Sequence, residues 1–186
     1  MAAHAAFSEA PLVQLMSLTA VNAANTVPVA LATVILLFAA LHDLAFRTIP
    51  NWVAAFIIVI GCTNRVLSGS FLGGIFTFCI IFFGASICWK RGWLGGGDVK
   101  LLAACGLLVP PLMALDLLLK IALAGGGLSI VYLLLHRFVA PPIKPTRPKA
   151  FFQRILRAER YRIGRGRHLP YASAIVVGTL LVLFRG

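Results

Sequence analysis

From residue 27 onward the chain is a series of long apolar runs separated by short polar or turn-forming breaks. The runs lack the strict apolar–polar alternation of half-buried strands. Several windows of about 20 residues carry few or no charges, which at helical rise matches a bilayer core. The pattern predicts six membrane segments, at 27–46, 51–67, 71–89, 98–109, 112–135 and 171–184. The fourth and sixth are short for a full crossing. Flanking residues, little tilt or a locally thin bilayer would accommodate them. A closed β-barrel is the other way to span a bilayer, and it requires the missing alternation. The expected fold is therefore an all-α polytopic membrane protein, a single membrane domain over 1–186. It is divided into an N-terminal extension (1–25), five helices (27–135), a basic loop (136–169) and a last helix (170–186).

Charge gives the segments a direction. The chain holds 17 Lys and Arg against five Asp and Glu, for a net charge of +12, although 60% of its residues are hydrophobic. One set of connections carries Arg47, Lys90, Arg91, Lys100 and the ten basic residues from Arg137 to Arg167. The opposite set carries only Arg65, Lys120 and Arg185. The richer side is expected to be cytoplasmic, leaving both termini on the extracytoplasmic side. The loop 136–169 begins Pro-rich and extended, and its stretch FFQRILRAERY (151–161) predicts an amphipathic helix in the inner-leaflet interface. Anionic lipid is the partner expected for this loop, and nucleic acid is not. Cys62, Cys79, Cys88 and Cys105 lie in or beside apolar runs without CxxC spacing, so buried thiols are expected and no metal or cofactor is. No cleavable signal peptide is evident in the first 25 residues.

With so few acids, each can be weighed. Glu9 and Glu159 sit in polar or basic surroundings, and Asp116 is spaced to pair with Lys120 one turn on. Asp98 follows three glycines at the mouth of an apolar run (WLGGGDVKLLAACGLL, 93–108), where it suits a helix N-cap. Asp43 closes the first helix, at the end where the dipole disfavours an acid, with Arg47 placed to offset it. The two carboxylates lie on separate helices at similar depth. Brought together they would not both ionise easily, and one would serve as general base on a water while the other serves as general acid. The glycines would let a peptide backbone approach Asp98. His42 adjoins Asp43 but points away from it on a helix and is expected at the interface. His136 and His168 lack metalloprotease spacing, and no serine lies in a GxSxG elbow.

DLAFRTIPNW (43–52) resembles the first catalytic motif of the type IV prepilin peptidases, in which an aspartate is followed by basic residues and Ile-Pro-Asn. GGGDVKLLAACGLL (95–108) resembles their GxGD motif with its following Lys-Leu, and LPYASAIVVG (169–178) is similar to their C-terminal Pro-Tyr-Gly-Pro-Ala-Ile segment. The resemblance implies an intramembrane aspartyl endopeptidase, multi-pass in a bacterial cytoplasmic membrane. Its substrate would be the basic leader peptide of a type IV prepilin or pseudopilin, cut at the cytoplasmic face. Asp43 and Asp98 carry over as the catalytic pair. Gly95 and Gly97 carry over as motif glycines and Lys100 as the motif cation, while Arg47, Pro50, Asn51, Pro170 and Tyr171 fall on motif positions expected to help seat substrate. The size is similar to the short Tad/Flp-type members, which implies peptidase activity without a methyltransferase domain.

The motifs also depart from the family pattern. Ala45 and Phe46 stand where members often carry basic or polar residues, and Ala172 and Ser173 replace the usual Gly-Pro. Preflagellin peptidases are a near alternative. Presenilin-type GxGD proteases have Tyr-Asp where this chain has His42–Asp43, and the Ile-Pro-Asn run favours the prepilin enzymes. A small transporter using its intramembrane acids as a relay would favour midplane acids and an internal repeat, and neither is visible.

Overall fold

A computed structural model of the protein describes residues 27–138 and 171–184. The regular elements among them are helices: α1 (Val27–Phe46), α2 (Asn51–Leu67), α3 (Phe71–Lys90), α4 (Gly96–Leu108), α5 (Ala114–Phe138) and α6 (Tyr171–Leu183). A 3-10 turn, Pro111–Met113, leads into α5. The extension at 1–25 and the expected amphipathic helix at 151–161 lie outside the described residues. Among the described residues three stretches are long and apolar enough to cross a membrane: α1, α3 and the run Pro111–Leu135. The others are shorter, and α4, with 13 residues, rises only about 20 Å against a hydrocarbon core of about 30 Å.

α4 organises the packing. Beyond Lys100 it is apolar around its whole circumference, a pattern that is stable when the helix is enclosed. α2, α3 and α6 pack against it, burying Leu101, Ala104, Cys105 and Leu107 almost completely. Small residues permit the approach. A Cβ on Gly61 of α2 would sit 2.5 Å from the Leu107 Cβ, and one on Gly106 would sit 2.7 Å from Ile81 Cδ1 of α3. On α6, a Cβ at Gly178 would fall 2.6 Å from the Ile121 backbone of α5. Nothing lies within 4 Å of such an atom on Gly84, Gly126 or Gly127, so close packing accounts for only part of the glycine in these runs.

The end of α4 remote from Asp98 is held by a cation. Arg65, near the end of α2, is 5% exposed. Its Nε donates to Leu107 O at 3.0 Å and its Nη2 to Leu108 O at 3.1 Å. Nη1 donates to Ser70 Oγ at 3.1 Å. The last carbonyls of a helix have no intrahelical donor and carry its negative dipole, so a guanidinium there satisfies both needs. Arg65, counted from the sequence among the charges of a connection, is thus an internal helix cap. Lys120 does similar work for α6. Its Nζ donates to Leu181 O at 3.1 Å and pairs with Asp116 at 2.9 Å, the spacing expected between those two residues.

These contacts set the helix directions. The C-terminal ends of α2, α4 and α6 share one end of the bundle, and the C-terminal end of α1 meets the starts of α2 and α4 at the other. Two expected outcomes follow. Arg65→Met leaves two buried carbonyls without their donor. At about 1.5–3 kcal/mol for each hydrogen bond to a charged group, it should cost roughly 3 kcal/mol or more of stability. Lys120→Met removes a half-buried pair and a single bond to a helix-end carbonyl, and should cost less, about 1.5–3 kcal/mol. Denaturant titration in detergent micelles measures both. In the same assay Gly178→Ala should destabilise by about 1–3 kcal/mol through overpacking, whereas Gly126→Ala should be neutral or gain up to about 1 kcal/mol in helix propensity.

Candidate active site

Asp43 lies in the last turn of α1 and is 6% exposed. The helix ends just beyond it, where the Arg47 N–H donates to Asp43 O at 2.8 Å and Arg47 adopts φ 57°. This is the left-handed cap usually given to glycine. A side chain in that conformation costs roughly 1–2 kcal/mol, so the surrounding structure must hold it there. His42 supplies one restraint: its Nδ1–H donates to Thr48 O at 2.7 Å. A carbonyl only accepts, so Nδ1 carries the proton. The ring also stacks near Phe46, with centroids 4.8 Å apart. His42 therefore ties down the loop that follows Asp43. Pro50, extended at φ −60°, is the N-cap of α2 and starts that helix at Asn51.

The second acid arrives on α4. This helix begins at Gly96, earlier than the expected start at Asp98, and Gly95 is its N-cap. Asp98 is consequently the third helical residue rather than the cap. Its Oδ2 accepts from the Gly95 N–H at 3.2 Å, the back-reaching half of a capping box. Asp98 thus stabilises the helix start while leaving acceptor capacity on its carboxylate.

The two ends meet around a cavity of about 300 Å³. Asp43, Asp98, Gly95, Gly97, Arg47 and Asn51 line it, joined by Thr48, Ile49 and Gly96. Lys100 joins the group through Asn51, its Nζ donating to Asn51 Oδ1 at 3.0 Å. Pro50 and Tyr171 are not among the lining residues; Tyr171 is the partly exposed first residue of α6, and Pro170 lies outside the described residues. Among the described residues no three His, Cys, Asp or Glu side chains gather as a metal site would need. Such a pair of carboxylates beside a cavity is suited to passing a proton to and from a bound water and peptide.

Each motif glycine has its own reason. None of the three has positive φ, so backbone freedom is not the need. A Cβ on Gly95 would meet Asp98 Oδ2 at 2.9 Å, and one on Gly97 would meet Ile49 Cβ at 3.2 Å. Gly96 differs, since its nearest neighbour would be Trp89 Nε1 at an ordinary 3.5 Å. The outer two glycines therefore keep the acid and the loop in place, and the middle one is free to vary. Gly97→Val should destabilise by about 1–3 kcal/mol through overpacking, and Gly96→Ala should stay within about 1 kcal/mol of the native chain. Unfolding midpoints in micelles distinguish the two.

Comparison with models of protein families matches residues 30–131 to the type IV leader peptidase family. The matched stretch is more than half of the chain and contains nearly all of α1, the whole of α2 to α4 and both cavity carboxylates. Neither a curated protein nor a solved structure matches the chain. The acids, the loop after Asp43 and the glycine-led start of α4 all fall within the matched residues, and the chain belongs to the type IV leader peptidase family.

Proposed function

We propose that the protein is an intramembrane aspartyl endopeptidase that removes the basic leader from type IV prepilins of the Flp/Tad kind at the cytoplasmic face. The observation that carries this reading is the shared cavity of Asp43 and Asp98, reached from two helices inside a family-matched stretch. The surplus of Lys and Arg in the connections at the Asp43 end supports the cytoplasmic side. The Ile49–Pro50–Asn51 run supports a prepilin-type substrate. Six membrane segments with both termini outward fit the same charge distribution, and anionic lipid remains the proposed partner of the loop 136–169. The proposal covers the cleavage step alone.

In the proposed reaction one carboxylate is ionised and the other protonated. The ionised one takes a proton from a water, whose oxygen attacks the scissile carbonyl carbon. The protonated one gives its proton to the carbonyl oxygen, forming a tetrahedral diol. Collapse breaks the C–N bond, the amine leaves with a proton from the first carboxyl, and the diol returns a proton to the second. Both acids end as they began. No covalent bond to the enzyme forms, so the arrangement needs no nucleophilic side chain.

Coexpression with an Flp-type prepilin, in a host lacking its own leader peptidase, tests this by the mass of the pilin product. The wild-type chain should release the leader. Asp43→Asn and Asp98→Asn should each slow release by at least about a hundredfold, the low end for loss of general acid or base catalysis. Wild-type processing by either variant would refute the proposal.

A further inference from the structure

We infer that the Asn51 carboxamide is a substrate-binding donor, turned toward the cavity by Lys100, that holds a backbone carbonyl of the peptide lying between Asp43 and Asp98. The role rests on the peptidase reading above and adds a contact that the two acids do not supply.

Asn51 is the first residue of α2; it is exposed and in the cavity wall. A carboxamide has one accepting and one donating end, and its partner decides which end faces where. Lys100 Nζ lies 3.0 Å from Oδ1. An ammonium has only donors, so the oxygen must face the lysine, and Nδ2 is left as the group available to a ligand. Lys100 makes this contact across helices because of its position. It stands two residues beyond Asp98, and side chains at that spacing do not share a helix face. Its charge therefore goes to α2 instead of neutralising the acid on its own helix.

The chemistry explains why such a donor is useful. The acids act on the scissile carbonyl and on water, but an extended peptide also presents the carbonyls on either side of that bond. Holding one of these sets the register, and a displacement of about 1 Å can cost roughly a hundredfold in rate. The starts of α2 and α4 lie at the same cavity, and their dipoles favour a carbonyl oxygen arriving there. Lys100 is a positioning residue that acts through Asn51, and Asn51 touches the substrate.

The test measures kcat and KM of the full-length chain in micelles on a leader peptide, with unfolding midpoints alongside. Asn51→Ala should lower kcat/KM by about tenfold to a hundredfold, as expected for a lost hydrogen bond that also sets geometry. Lys100→Met should lower it by about tenfold, and Lys100→Arg should recover most of that loss. The double variant Asn51→Ala/Lys100→Met should be no worse than Asn51→Ala alone, because Lys100 acts only through the amide. Asn51→Asp separates this role from a simple tie between α2 and α4. It keeps, as an ion pair, the link to Lys100 and so the unfolding midpoint, but it removes the donor and should lose activity like Asn51→Ala. Wild-type kcat/KM in Asn51→Asp, or multiplicative losses in the double variant, would overturn the inference alone. A wild-type chain that leaves the leader intact would overturn the peptidase reading and this role with it.

Discussion

The enclosure of α4 is the constraint on which the rest depends. A helix of 13 residues with no polar face cannot hold its place by itself, and it is too short to be fixed by spanning a bilayer. It is fixed by α2, α3 and α6, which surround it closely enough that Gly61 of α2 has no room for a side chain against Leu107. Once α4 is immobile, so is its first turn, and Asp98 becomes a rigidly mounted acid at the edge of the apolar core. Burial thus turns a costly placement into a useful one. The same packing that shields the helix keeps the carboxylate at one position relative to Asp43.

The two ends of the bundle use charge differently. At the end remote from the cavity, Arg65 and Lys120 donate to the terminal carbonyls of α4 and α6, so cations are spent on helix dipoles. At the cavity end the starts of α2 and α4 converge with the end of α1. Two positive dipole ends stand there near two carboxylates. The loop between α1 and α2 carries the strain: Arg47 sits in the left-handed region, restrained by its bond to Asp43 O and by the His42 tie to Thr48. Strain of this kind at a cavity wall is consistent with a loop whose shape matters more than its local comfort.

Much of this was legible in the chain itself. α1 and α2 fall on the expected runs because apolar length and a following Arg-to-Pro break define them unambiguously. The acids stood out because so few others exist. The start of α4 was not legible: glycine is a poor helix former, yet Gly96 and Gly97 lie inside the helix, and the close approach of Gly97 to Ile49 that calls for a glycine there is not visible in the sequence. Nothing in the sequence marks Arg65 as a helix cap, because sequence carries no trace of a carbonyl 42 residues away. The Asn51–Lys100 bond was hidden for the same reason, although both residues belonged to motifs. The bond from His42 to Thr48 depends on a turn that the sequence does not reveal.

The central claim is that α1 and α4 bring their carboxylates to one place, and proximity can be measured without any assay of cleavage. With Cys62, Cys79, Cys88 and Cys105 replaced, the pair Asp43→Cys and Asp98→Cys can be treated in native membranes with a short thiol-reactive crosslinker and scored by fragment mass. The account predicts a crosslink joining α1 to α4 in high yield, and little for a control pair of Asp43→Cys with a cysteine at Leu108, at the far end of α4. Absence of the 43–98 crosslink, with both thiols shown to be reactive, would contradict it.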